Sequence, residues 1–281
     1  MISFNKSKLF FTLFILMFFS IQTYGQLEVE FNEIKGLLSL GDKYSKDFGR
    51  YDGFEIPLYE GELVNFIVYS EKFFPKIIFV NPSGKIYKQS IEAASSVASM
   101  VTSVDEAGDW ILYVVGDSAA VGDYVFQYAF ASKNALEYNE STDFCTSLNF
   151  ITTHAKAYFL LIQNVIVPNG TFVKLKDAVD AFIDESDGSY SAQMYEGNSL
   201  SEAEKIYNNY SSQITKCLGN NYSKKTESWV NIEDYKIKST LLTENVKEKE
   251  RLVLVSIKDV SKSKLKFTGN YVVQILVSRK N

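Results

Sequence analysis

The first pattern along the chain is an apolar run. Leu9 to Ile21 is rich in Leu and Phe, Lys6 and Lys8 precede it, and Gln22 and Thr23 follow it. A basic start, a short apolar stretch and the small residues Thr23 and Gly25 predict a signal peptide over residues 1–25, cleaved before Gln26. The run falls short of the roughly 20 residues a bilayer-spanning helix needs, and no later run reaches that length. No membrane span is therefore expected in the mature chain.

From residue 54 onward the apolar residues come in short β-rich runs: Phe54–Leu58, Leu63–Tyr69, Lys76–Val80, Val97–Val104, Trp110–Val115 and Tyr124–Phe130. Turn chemistry separates them, as in Tyr59-Glu60-Gly61, Asn81-Pro82-Ser83-Gly84, Asp105 to Asp109 and Val121-Gly122-Asp123. Evenly spaced short strands of this kind predict an antiparallel β-sandwich. Alternation in Leu63–Tyr69 is incomplete, with Asn65 set among apolar neighbours, which predicts a strand covered on both faces.

The pattern changes near residue 132. Residues 132–141 are polar and read as a linker. Beyond it Phe144, Leu148, Ile151, Ala155, Tyr158 and Ile162 repeat at three- and four-residue steps, the stripe of an amphipathic helix. Ser141, Thr142 or Asp143 can cap it. A second helix is predicted over 200–218. Ser199 and Glu202 form its capping box, Ala203, Tyr207, Tyr210, Ile214 and Cys217 form its stripe, and Gly219 stops it. Strands are expected at Thr171–Lys176, Val179–Asp184 and Ser189–Glu196, the last two joined through Asp187-Gly188. Four more follow at Thr226–Ile232, Tyr235–Thr243, Arg251–Lys258 and Gly269–Ser278. The expected fold is two domains: an all-β, jelly-roll-like sandwich over 26–131, then an α+β domain over 142–281 with two helices on an antiparallel sheet.

Cys145 falls in the first turn of the first helix and Cys217 in the last turn of the second. If the helices pack antiparallel these ends meet, and export makes a disulfide chemically accessible. The alternative is a pair of buried free thiols.

Composition narrows the chemistry further. The chain of 281 residues has 29 Lys plus Arg, 34 Asp plus Glu, one His and two Cys. Loss of the leader removes two lysines and no acid, taking the formal charge from −5 to −7. An acidic chain argues against nucleic acid as a partner, because phosphate binding draws on Lys and Arg. One histidine cannot build a His-rich metal site, and His154 lies nine residues from Cys145, on another helix face, where it is expected to be surface or half-buried. Gly116-Asp117-Ser118 matches the start of an esterase block, but it sits between two strands, where a hairpin loop is expected. Ser261 and Lys264 have Ser/Lys spacing within a basic loop that lacks the partner motifs. Asp177, Asp180, Asp184, Glu185 and Asp187 are the densest acidic group, read as solvated strand edges and a turn. Asn139, Asn169, Asn209 and Asn221 begin sequons that read as accidental. No catalytic, metal or cofactor residue is assigned. Tyr51, Tyr59, Tyr69 and Tyr87 are the candidate ligand-contact aromatics, because a tyrosine exposed on a strand offers a ring face and a hydroxyl together.

Three blocks carry a family resemblance. They are Tyr51-Asp52-Gly53-Phe54-Glu55-Ile56-Pro57-Leu58 with Glu60-Gly61-Glu62; Phe73-Phe74-Pro75 through Asn81-Pro82-Ser83-Gly84; and Asp105 to Val114 followed by Gly122-Asp123-Tyr124-Val125-Phe126. In order and spacing, residues 35–130 resemble the bacterial pre-peptidase C-terminal (PPC) type domain. The resemblance implies a jelly-roll-like sandwich in an exported protein, similar to accessory modules that bind carbohydrate or protein. Some relatives bind calcium, but Lys85 and Lys88 stand where acidic residues would be needed, so no metal site is carried over. The second half resembles no family that can be named.

Together these readings predict an exported, non-catalytic binding protein, periplasmic or secreted, from a Gram-negative bacterium, with a polysaccharide or an envelope protein as partner. Two alternatives stay open: a secreted hydrolase using carboxylates near Asp177–Asp187, or a structural envelope component.

Overall fold

A computed structural model describes residues 29–90, 94–138, 142–164, 170–171, 173–184, 187–246, 250–264 and 267–280. The leader and its cleavage point lie outside the described residues, as do Asn139, Asn169 and Glu185.

The first half is a sandwich of two antiparallel sheets. Its strands are β1 (Val29–Leu38), β2 (Tyr44–Ser45), β3 (Gly49–Leu58), β4 (Leu63–Tyr69), β5 (Lys76–Val80), β6 (Ile86–Gln89), β7 (Val97–Ser103), β8 (Gly108–Gly116) and β9 (Gly122–Ala131). One sheet has the order β1-β9-β4-β7 and the other β2-β3-β8-β5-β6. The chain changes sheet repeatedly, so the inward residues of β1, β3, β4, β5, β7, β8 and β9 meet in one core. Trp110, Phe66, Phe79 and Phe126 lie fully buried there. Trp110 stacks on Phe79 with ring centroids 4.7 Å apart, and its indole N–H donates to the Glu106 carbonyl at 3.1 Å.

β1 and β6 escape the sequence pattern. Glu30, Asn32, Glu33 and Lys35 dilute β1, and all four residues of β6 are exposed at a sheet edge. In β1, Gly36 lies beneath the ring of Tyr124, where an added Cβ would come within 2.1 Å of that ring. Tyr124 reaches across the sandwich, and its hydroxyl donates to Asp52 Oδ2 at 2.7 Å. Burial and the adjoining carboxylate push its phenol above the ordinary range. Tyr124→Phe removes this tie between the sheets and is expected to lower the unfolding free energy by about 1 kcal/mol. Chemical denaturation checks this, and an unchanged midpoint would show that the bond contributes nothing net.

The second half begins with α1 (Lys133–Leu136), a single helical turn inside the expected linker that buries Ala135 completely. α2 (Phe144–His154) is capped by Asp143, whose side chain accepts from the backbone N–H groups of Cys145 and Thr146. α3 (Leu200–Leu218) starts at Ser199, which accepts from the Glu202 N–H. Both helices pack on one face of a six-stranded antiparallel sheet of order β12-β13-β17-β16-β15-β14. Its strands are β12 (Asp180–Asp184), β13 (Ser189–Gly197), β14 (Tyr222–Ile232), β15 (Tyr235–Glu244), β16 (Arg251–Asp259) and β17 (Tyr271–Arg279). Val253, Val255, Ile257, Val273, Ile275 and Val277 rise from the sheet to meet Leu148, Ile151, Ala203 and Ile214.

Two expectations fail here. α2 ends at His154 and passes into a 3-10 turn, and Tyr158 and Phe159 adopt left-handed φ values of 48° and 61°. The stripe continues past the helix because Phe159 and Ile162 still face the same core, so periodicity does not mark the helix end. The strand expected at Thr171–Lys176 is also absent. Among the described residues only β11 (Gly170–Thr171) pairs, with β10 (Gln163–Asn164), and residues 173–176 run as loop.

The two halves touch through a small apolar patch. Val29, Ala129 and Ala131 of the sandwich meet Ala135, Ala157 and Leu161. Asn65 donates to the Leu160 carbonyl at 2.7 Å, which accounts for a polar residue on a strand covered on both faces. Arg279 of the second half lies 5.4 Å from the ring centre of Phe31 in β1, and it is held there by the Lys156 carbonyl at 3.1 Å and by the Tyr158 ring.

Candidate functional site

A groove of about 600 Å³ opens at one end of the sandwich. Four chain segments form it: β2 with the turn into β3, the β4–β5 loop, Ala94 between β6 and β7, and the end of β8 with the β8–β9 loop. Pro75 biases the residue before it toward extended backbone. Of the adjacent pair, Phe73 packs inward against Tyr124 and Phe74 stands 63 % exposed at the groove. Tyr44 is 52 % exposed on the same groove. Phe48 forms part of the wall and is held by Tyr51 and Tyr113, whose ring centres lie 5.3 and 6.1 Å away. Ile78, Val80 and Val115 are buried beneath this aromatic group, on the outer face of the five-stranded sheet.

The rims are pinned together. The Arg50 guanidinium donates to the carbonyls of Leu40 at 2.6 Å, Asp42 at 3.2 Å and Ser118 at 3.4 Å. Gly49, with φ of +98°, lets β3 approach the Gly116 carbonyl so closely that a Cβ would lie 2.2 Å from it. Such bracing reduces the ordering cost of binding. Lys46, Asp47, Lys76, Asp117 and Ser118 set charged and hydroxyl groups around the aromatic faces.

The four candidate tyrosines are not gathered in this groove. Tyr51 supports its wall through Phe48. Tyr59 is 72 % exposed at the β3–β4 turn. Tyr69 lines a second cavity of about 480 Å³ beside Leu37 and Lys72, and its hydroxyl donates to Glu71 at 2.6 Å. Tyr87 sits on edge strand β6, its ring 4.9 Å from that of Trp110 and its hydroxyl bonded to the Ser103 carbonyl. The sequence reading did not single out Tyr44, Phe48 or Phe74 as site residues. The signal available was the Phe73-Phe74-Pro75 block, where one ring has to face away from the core.

Cys145 and Cys217 form a disulfide with Cα atoms 5.2 Å apart. His154 corrects an expectation: it is fully buried, not half-exposed. Its Nε2–H donates to the Ala135 carbonyl at 3.1 Å, because α1 folds over the helix flank that the sequence leaves open. Burial lowers its pKa to about 4. Gly116 ends β8, and Asp117-Ser118 open a loop that crosses to the other sheet rather than the expected hairpin, because β8 and β9 belong to different sheets; in it Asp117 accepts from the Ala119 N–H. Ser261 donates its hydroxyl to Asp259 at 2.7 Å. In the acidic segment, Asp180 accepts from the Ala181 N–H and Asp187 from the Ser189 N–H. Among the described residues no group of three or more His, Cys, Asp or Glu is placed to hold a metal ion. No helix among them is long and apolar enough to cross a membrane.

No protein-family model matches the chain, and no curated protein matches it. Three solved structures show distant likeness. The pre-peptidase C-terminal domain of a collagenase from Bacillus anthracis is 16% identical, covering 34% of this chain and 87% of that one, with a TM-score of 0.28. PliG from Aeromonas hydrophila, a periplasmic inhibitor of g-type lysozyme, is 6% identical over 40% of this chain and 91% of that one, with a TM-score of 0.27. A Bacillus endospore appendage protein, from disulfide-linked pili, is 13% identical over 41% of this chain and 97% of that one, with a TM-score of 0.27.

Proposed function

We propose that this chain is an exported binding protein that takes a polysaccharide in the sandwich-end groove. The observation carrying the proposal is the pair of exposed rings, Tyr44 and Phe74, on a groove braced by Arg50 and edged with amine, carboxylate and hydroxyl groups. Aromatic faces pack against the C–H faces of sugar rings, while the polar edge serves their hydroxyls. The PPC-type motif order in the same half agrees with this reading. Export is supported by the leader pattern and by the disulfide, which persists in oxidising compartments. A non-catalytic role is supported by the fate of the reactive residues: both thiols are held in the disulfide and the one imidazole is sealed in the core.

Affinity electrophoresis through gels containing a panel of polysaccharides tests this. At least one polymer is expected to retard the protein. Phe74→Ala and Tyr44→Ala should each weaken that retardation about tenfold, the scale of losing one aromatic anchor. Both side chains are exposed, so the melting temperature should hold. Retardation by no polymer would sink the polysaccharide and leave an envelope protein as the ligand. Release of reducing ends from the retarding polymer would instead indicate a hydrolase.

A further inference from the structure

α3 packs chiefly over β13, β16 and β17 and touches β14 only in part, so some of the helix-side surface of the β14–β15 ribbon stays open. A groove of about 590 Å³ runs between them. Its helical wall comes from residues 207, 208, 211, 212, 215 and 216, which the 3.6-residue period places on one flank. Its floor comes from alternate residues of two strands, Lys224 and Thr226 on β14 with Lys238 and Thr240 on β15. Thr226 and Thr240 are direct cross-strand partners.

The chemistry of this lining departs from that of the chain. The whole chain carries a formal charge of −5, yet the groove is lined by Lys216, Lys224 and Lys238 and by no acid. Lys216 and Lys224 make no ion pair among the described residues, and Lys238 is 4.0 Å from Glu204, outside the lining. The remaining groups are mostly hydroxyls: Tyr207 and Thr240 bond to each other at 2.7 Å, and Thr226 joins Thr240 at 3.4 Å. A second observation points to a ligand. Ser211 is 93 % buried at the groove wall, being 7 % exposed, and its Oγ has no hydrogen-bond partner. A buried donor left unmade is costly, and a bound acceptor would satisfy it.

We propose that this groove binds a tetrahedral oxyanion, a sulfate or phosphate group, between the lysines of the β-ribbon and the hydroxyls of α3. Amines supply the charge and the groove's uncommitted hydroxyls donate to the anion oxygens, Thr215 being held by the Ser211 carbonyl at 2.6 Å; Ser211 Oγ, closed off from the groove as it stands, gains the acceptor it lacks by turning about χ1. The site is separate from the sandwich-end groove and shares no residue with it.

Titrating the ¹⁵N-labelled full chain with inorganic sulfate, and separately with inorganic phosphate, against sodium chloride at matched ionic strength tests this. Saturable shifts are expected at Ser211, Thr215, Lys224, Thr226, Lys238 and Thr240 with at least one of the two anions. Lys224→Gln, an exposed change that leaves the fold intact, should weaken that binding about tenfold, and Ser211→Ala should weaken it several-fold. Shifts that follow ionic strength alone, or that spread over lysines across the surface, would overturn the proposal. So would affinity unchanged in Lys224→Gln.

Discussion

Replacing both Cys145 and Cys217 with alanine is expected to lower the unfolding free energy by about 4 kcal/mol, the chain-entropy value for a loop of this size. The two cysteines are 72 residues apart, and between them lie the rest of α2, the β12–β13 hairpin and nearly all of α3. Opening the bridge frees that whole segment in the unfolded chain, whereas the folded chain keeps its other contacts. The helix ends beside it are otherwise held by the Asp143 cap and by Leu148 and Ile214 in the core. For a chain of this length the change corresponds to a fall in melting temperature of roughly 10 °C. Calorimetry on the wild type with and without reductant, and on the double variant, measures it. A fall below 1 °C in both comparisons would show that the bridge joins helix ends already fixed by packing.

The second large effect is a pH dependence centred on His154. Its ring is fully buried, its Nε2–H is bonded to the Ala135 carbonyl, and its Nδ1 meets no partner. Burial disfavours the imidazolium, so the folded pKa is about 4, against an ordinary value of 6.5. Above pH 6.5 neither the folded nor the unfolded chain carries this proton, and His154 adds no pH dependence. Between 6.5 and 4 the unfolded chain takes up a proton that the folded chain refuses. Stability therefore falls as pH falls, by a total of roughly 3 kcal/mol at the lower end. His154→Gln keeps a donor for Ala135 and deletes the titration. The difference in unfolding free energy between wild type and variant should then change by that amount from pH 7 to pH 4, because the carboxylates are common to both. A constant difference across this range would mean that the folded chain takes up this proton as readily as the unfolded one.

These two residues also show how much the sequence disclosed. The cysteine pairing was legible because each Cys lay at a readable helix end, Cys145 at the capped start of α2 and Cys217 at the Gly219 stop of α3. The burial of His154 was not legible, because α1, the turn that covers it, sits in a segment that reads as polar linker. Strands with two apolar faces, such as β4 and β5, were marked by their own residues. β1 and β6 were not, since β1 is diluted by charge and by the glycine beneath Tyr124, and β6 is an exposed edge. The same division holds for the grooves. Tyr51, Tyr59, Tyr69 and Tyr87 qualify by residue type, but exposure in a shared concavity depends on which loops meet. That meeting brings Tyr44 and Phe74 together instead. The lysine groove was hidden for a related reason: nothing local to Lys224 or Lys238 records that α3 stops short of covering them.

The central claim is that the sandwich-end groove holds a polysaccharide. Hydrogen–deuterium exchange of the full chain, with and without an oligosaccharide cut from the retarding polymer, tests it most directly. The account predicts slowed exchange confined to residues 44–49, 74–76 and 116–118. Protection elsewhere on the protein, with those three segments unchanged, would contradict it.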